Sequence, residues 1–261
     1  MKSISNLIIS LIEEMLQING YDVKDIIDNM GHMKSIEDRK NGHVFSMSEH
    51  ISGLVFSLLS SQKKWEDIER NEHNIVEIFK EFDKEYIVET DHEVFEEKLR
   101  EIKCGNRAIK KQMQSLAYNI HIFEQIENDF GSLDTFIESS STHNIAKELA
   151  EGEKYKLKQI GYPLAMEYLR NVGVDAAKPD THIIRILSGE RLGYHEDIPT
   201  PEEAIEIMEA ISKETGLALS YLDALLWNFC SSGSGNICNS NPRCKRCKLD
   251  PYCNGVAEEM N

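Results

Sequence analysis

"YKLKQIGYPLAMEYLRNVGVDAAKPDTHIIRIL", residues 155–187, decides the fold. The spacing predicts a short helix that ends in Gln159, Ile160 and Gly161. A second helix starts at Tyr162, with Pro163 in its first turn, where proline's missing N–H costs nothing. Two short helices joined this way aim backbone amides at one point and can hold a phosphate without any side chain. The same pattern also suits an ordinary helical hairpin in an all-α core. Further on, Asp180 stands between Pro179 and the apolar run that follows Thr181. It is placed to cap that helix. A carboxylate at a helix N-terminus stays ionised, so capping does not exclude a ligand-facing role.

Outward from this stretch, the helical period dominates. Ile8, Leu11, Ile12 and Met15 repeat at helical spacing. Ser46 precedes Glu49 by three, a capping-box pattern for a helix running to Leu59. Asp91 is placed to cap the segment that follows it. A long helix is expected from Asn106 to Gly131, and another from Thr142 to Gly152. Thr200 and Pro201 open a helix, and a further one covers 218–230. The polar stretch His32–His43 reads as a loop, and the tail after Cys253 as disordered. No stretch alternates with period two over a strand's length, so the expected class is all-α.

The chain has 261 residues and 41% hydrophobic content, enough for a real core. No apolar run is long enough to span a bilayer. Acids at Glu13 and Glu14 interrupt the first apolar segment, which reads as an amphipathic helix and not a signal peptide. A cytoplasmic location with no membrane partner is expected. The formal charge of −16 argues against nonspecific nucleic-acid binding. Three basic islands nevertheless stand out: 104–112, 154–191 and 243–248.

The last island lies inside a cysteine loop, Cys238-x5-Cys244-x2-Cys247-x5-Cys253. In a reducing compartment clustered thiols more often hold metal than form disulfides. Four thiolates this close can wrap a [4Fe–4S] cluster, with zinc as the alternative. Cys104 and Cys230 fall outside the spacing and read as buried thiols.

The order of these segments resembles the helix-hairpin-helix DNA glycosylases of the endonuclease III and MutY superfamily. "LLSSQ" (58–62) is similar to the family's LLSxQ, "LKQIGYPLA" (157–165) to LPGVGxxTA, and "PDTHIIRI" (179–186) to VDTHxxRV. The resemblance runs from about Ser46 to Cys253. It implies two helical domains flanking a DNA-binding cleft: a six-helix domain at 46–173, and 1–45 packed with 174–261. It implies a monomer acting on double-stranded DNA with a damaged or mismatched base. Asp180 takes the catalytic position. Gln62 and the loop Lys103, Cys104, Gly105 and Asn106 take the positions that enter the duplex. Gln159, Ile160 and Gly161 hold a backbone phosphate. Cys238, Cys244, Cys247 and Cys253 take the iron–sulfur positions, with Arg243, Lys245 and Arg246 on the DNA backbone.

The chain also departs from the family's pattern. The first cysteine gap is five residues where the family usually has six. Gln159 replaces the first hairpin glycine. Pro163 stands where the lyase branch carries a lysine, and Phe56 where the adenine-removing branch carries a glutamate. Proline offers no amine for a Schiff base. Lys158 is the nearest substitute. A monofunctional glycosylase is therefore expected. The rival readings are a catalytically silent DNA-binding protein on the same scaffold and an all-α zinc-binding interaction protein.

Overall fold

The computed structural model describes residues 3–255, without the side chain of Ile26. The tail expected to be disordered lies outside the described residues from position 256 onward. Among the described residues there is no strand, and fifteen α-helices follow one another. They are α1 (Ile4–Ile18), α2 (Val23–Asp28), α3 (Gly31–Lys40), α4 (Met47–Leu59), α5 (Trp65–Arg70), α6 (Glu72–Ile78), α7 (Lys84–Glu89) and α8 (His92–Glu101). The rest are α9 (Ile109–Phe130), α10 (Leu133–Glu138), α11 (Thr142–Glu151), α12 (Tyr162–Asn171), α13 (Thr181–Leu187), α14 (Pro201–Thr215) and α15 (Leu219–Cys230). No helix of the described residues is long and apolar enough to cross a membrane.

The chain divides into two compact units, 35–174 and the combination of 1–34 with 175–261. In the continuous unit, α4 packs on α9 and α12. Its N-terminus carries the full capping box: Ser46 accepts from the Glu49 amide, and Glu49 accepts from the Ser46 amide. The apolar face buries Leu54, Val55, Leu58 and Leu59 completely. Gly53 permits the close approach, because a Cβ there would lie 2.8 Å from the Val172 side chain. Nine α-helices, α4–α12, lie between Met47 and Asn171, where the sequence reading expects six. The added ones, such as α5, α6 and α10, are one or two turns long, too short to show a period.

The stretch 32–43 is also helical in its main part and not a loop: α3 ends only at Lys40. Its one buried apolar residue is Ile36. Tertiary polar contacts supply what the sequence period lacks. Arg39 donates to the Val172 carbonyl at 2.9 Å and to Asp134 Oδ1 at 2.5 Å. Asp134 also accepts from the Phe45 amide at 2.7 Å and lies 3.3 Å from His50 Nε2. Burial pushes the Asp134 carboxyl up, but hydrogen bonds from His50, Arg39 and the Phe45 amide outweigh it and hold it at about 2. Burial keeps His50 below its ordinary value.

In the second unit, α1, α13, α14 and α15 pack together. Ile12 and Leu16 of α1 and Leu225 and Phe229 of α15 form its centre. Thr200 and Glu203 make a second capping box at the start of α14. The N-terminus of α15 has no cap of its own, and Asp175 accepts from the Leu219 and Ser220 amides instead.

Candidate functional site

The hairpin belongs to the continuous unit. Its first helix is α11, not the expected short helix ending at Gly161. Residues 152–161 form turns and extended chain. The reason is visible in 154–158: Lys154, Lys156 and Lys158 are exposed while Tyr155 and Leu157 are buried. That is a period of two, which no helix can satisfy. Tyr155 packs edge-on against Phe130 and Phe136, and its hydroxyl donates to Asp129. The Leu157 amide returns to the Leu149 carbonyl at 2.8 Å.

The turn itself falls on Gln159, at φ 63°. Gly161 has ordinary extended backbone and is the N-cap of α12, with no side-chain cap. A Cβ on Gly161 would meet nothing within 4 Å, so this glycine leaves its surface open. Beside it lies a hollow of about 570 Å³, lined by Lys111, Ser115, Lys156, Lys158, Gln159 and Gly161, with no acidic side chain. Lys158 Nζ rests 3.7 Å from the centre of the Tyr118 ring. Pro163 is half-buried in the first turn of α12.

Two other loops of this unit carry residues singled out by sequence. Gln62 is exposed and left-handed at φ 53°, and so is Lys103 at φ 60°. Their neighbours point inward. Cys104 is fully buried, and burial raises its thiol pKa. Asn106 is 6% exposed and donates to the Leu58 carbonyl. From this loop only Lys103 and Gly105 reach the surface. Phe56 is half-buried against Phe82.

Asp180 lies in the second unit. It caps α13 through a single oxygen, Oδ1, which accepts from the His182 amide at 2.7 Å and the Ile183 amide at 3.1 Å. No described hydrogen bond uses Oδ2, and the residue is half-exposed. The preceding Lys178 amide is held by the buried Asp223. His182 Nδ1 lies 2.9 Å from Arg185, with its ring edge-on to Trp227. Burial lowers its pKa and Arg185 adds to this, against the pull of Asp180. The arrangement fixes one carboxylate oxygen and leaves the other for a ligand.

The same unit holds the cysteine loop, and all four thiols are free. Cys238 is docked by its amide onto the Phe229 carbonyl, beside Cys230. A hydrogen bond from Cys230 lowers the Cys238 thiol to about 7, against its burial and with help from Arg191 and Arg185. Burial pushes Cys247 up to about 11, and the other three thiols of the loop act on it electrostatically. Among the described residues no three His, Cys, Asp or Glu side chains are grouped so as to hold a metal ion. The loop's cations divide. Arg246 donates to Asn19 and Lys248 to Glu14, both toward α1. Arg243 and Lys245 are exposed.

No family model matches the chain. Among curated proteins, it is 28% identical over 224 residues to an 8-oxoguanine DNA glycosylase/AP lyase of Methanocaldococcus jannaschii, covering 83% of this chain and 95% of that protein. It is 35% identical over 104 residues to an 8-oxoguanine DNA glycosylase/AP lyase of Aquifex aeolicus, covering 38% of this chain and 46% of the other. The crystal structure of Methanocaldococcus jannaschii 8-oxoguanine glycosylase/lyase in complex with a 15mer DNA containing 8-oxoguanine superposes with a TM-score of 0.58. That match has 26% identity and covers 84% of this chain and 96% of that one. This chain shares their fold. The 8-oxoguanine DNA glycosylase of Thermotoga maritima, at 20% identity and a TM-score of 0.59, supports the fold alone. The relatives that match most of this chain are thus named 8-oxoguanine DNA glycosylases.

Proposed function

We propose that this chain is a base-excision-repair DNA glycosylase, that an oxidised purine such as 8-oxoguanine is its substrate, and that it acts without a lysine-based lyase step. The observation that carries the reading is the likeness, over most of both chains, to a glycosylase crystallised on 8-oxoguanine DNA. The hairpin agrees with it: a hollow with three lysines, no acid and an uncapped helix start suits a phosphodiester backbone.

The target base must leave the stack before its glycosidic bond can be reached. Gln62 and Lys103, both exposed, would fill the gap. As the bond between C1′ and the base nitrogen breaks, positive charge develops on the sugar. The free Oδ2 of Asp180 stabilises that charge and orients the attacking water, taking up its proton as the new C–O bond forms. The base departs with the bonding electrons and gains a proton through solvent, balanced by the one Asp180 took from the water and gives back, leaving an abasic site. The amide clamp on Oδ1 keeps the carboxylate pre-aimed. The relatives are named AP lyases, and the lyase branch of the family places a lysine where this chain has Pro163. Without that amine the sugar is not captured as a Schiff base, and the strand stays whole.

The donor set of the loop, four reduced cysteine sulfurs close together in sequence, suits an iron–sulfur cluster, with zinc as the alternative. Cys238, Cys244, Cys247 and Cys253 would hold it, and it would supply loop structure. Arg243 and Lys245 are then the loop's cations for DNA.

The reading is tested by incubating the protein with a duplex carrying one 8-oxoguanine and measuring free base by chromatography. Release of the oxidised base, and none of guanine from the matched undamaged duplex, is expected. No release from this or any other single-lesion duplex would overturn it.

A further inference from the structure

Seven non-glycine residues of the described chain have left-handed φ. Such backbone is disfavoured wherever a Cβ is present and persists only where the surroundings over-determine it. Lys80, Glu81 and Phe82 form one turn, explained by the burial of the Phe82 ring against Phe79. Three others, Gln62, Lys103 and Gln159, are exposed and gain nothing from burial. One falls in each of the three loops of the 35–174 unit that the glycosylase reading turns toward DNA.

A single face of α9 ties these loops down. Gln112, Ser115 and Asn119 are spaced i, i+3, i+7, a stripe about 10 Å long. They are 2%, 5% and 0% exposed. Asn119 grips residue 158 from both sides: Oδ1 accepts from its amide at 2.7 Å, and Nδ2 donates to its carbonyl at 3.0 Å. That fixes the peptide next to Gln159. Ser115 Oγ donates to the Gln112 carbonyl at 2.8 Å and lies 3.5 Å from the same Lys158 carbonyl. Gln112 Nε2 donates to the Leu58 carbonyl at 3.0 Å. The Leu58 carbonyl also accepts from the Ser61 amide and from Asn106 Nδ2, so the loops holding Gln62 and Lys103 meet on one acceptor. Gln112 Oε1 is buried with no partner. An apolar residue of similar size would avoid that cost, so packing alone does not account for a glutamine here.

The geometry points to Gln112, Ser115 and Asn119 as positioning residues, a buried polar rail on α9 that locks the 60–64, 102–106 and 157–161 loops into one presentation toward a DNA backbone. The identity of what the loops touch rests on the glycosylase reading; the rail does not.

Two measurements on the full chain test it: amide hydrogen exchange, and affinity for a duplex carrying a stable abasic-site analogue. Asn119→Ala is expected to speed exchange by about tenfold at 158–161, and Gln112→Leu by a similar factor at 61–62 and 104–106, with α10 and α11 unchanged. Both should weaken duplex binding by about fivefold to tenfold. The rate of base release at saturating enzyme should fall less than affinity does, because the reacting carboxylate is untouched and the loops are only loosened. Gln159→Gly removes an exposed side chain and frees a left-handed backbone position without touching the core, so it guards against a folding failure. It should leave Tm unlowered while loosening 158–161 and weakening binding. Exchange that rises evenly over 35–174, or loops and affinity unchanged in all three variants, would overturn the proposal. Should the unaltered protein bind no duplex and release no base, the glycosylase reading falls, and the exchange data still decide whether the rail exists.

Discussion

The starts of α12 and α13 are the same local device put to opposite uses. Each is a helix N-terminus reached through a tight turn, and each holds a partial positive charge. At α12 the N-cap is Gly161, which brings no side chain, so the amides are left for an anion from outside. At α13 the N-cap is Asp180, so the helix carries its own anion, fixed by one oxygen and free at the other. On the proposed function one terminus binds and the other reacts. The difference lies in one side chain, which is why both can be probed by single substitutions.

The largest expected effect removes the charge of Asp180 while keeping its cap. Asn is as good an N-cap as Asp, so Asp180→Asn should leave Tm close to unchanged. Single-turnover base release should fall about 10²–10⁴-fold, the range of a lost acid–base or charge-stabilising group. Duplex affinity should hold. Equal loss of binding and release would mean that α13 binds and does not react.

Next in size is the reverse change at α12. Pro163→Lys places an amine where the lyase branch of the glycosylases this sequence resembles has one. Borohydride should then trap a protein–DNA adduct that the unaltered chain does not form. Absence of an adduct would show that the first turn of α12 does not face the sugar.

A third change separates the loop from both termini. Cys247→Ser should abolish the brown colour and the iron and sulfide content of protein purified without oxygen. A colourless protein containing zinc before the substitution would instead favour the zinc alternative.

The smallest effect concerns stability. Asp134 is nearly buried, and its carboxyl is held at about 2 by Arg39, His50 and the Phe45 amide. A depressed carboxylate stabilises the fold above its unfolded pKa and loses that contribution as pH falls through the folded value. Asp134→Asn should therefore cost about 2 kcal/mol at neutral pH in a denaturant melt, shrinking between about pH 4 and pH 2. A deficit that stays constant across that window would place the contribution elsewhere.

What was legible in the sequence were features fixed by short-range chemistry. Ser46 with Glu49, Asp91, Asp180 and Thr200 are all caps in the structure, and Gly131 ends α9 in the left-handed conformation. Features set by distant partners were not. The polar stretch at 32–43 shows no apolar face, and its helix rests on Arg39 reaching Asp134 and Val172. The alternation of lysines with Tyr155 and Leu157 was open to view, but the glycine hairpin beside it suggested helix instead. Cys104 reads as buried in the sequence and is buried, but Asn106 beside it looks exposed until the Leu58 carbonyl draws it inward. The stripe of Gln112, Ser115 and Asn119 has helical spacing, but its polar residues resemble a solvated face until their partners are known.

The central claim is that a carboxylate, and no amine, carries the reaction. A duplex with one labelled 8-oxoguanine strand, incubated with the unaltered protein and divided between alkali, no treatment and borohydride, tests it most directly. Breaks only after alkali, with no trapped adduct, are the predicted result. Breaks without alkali together with a borohydride-stable adduct would contradict it.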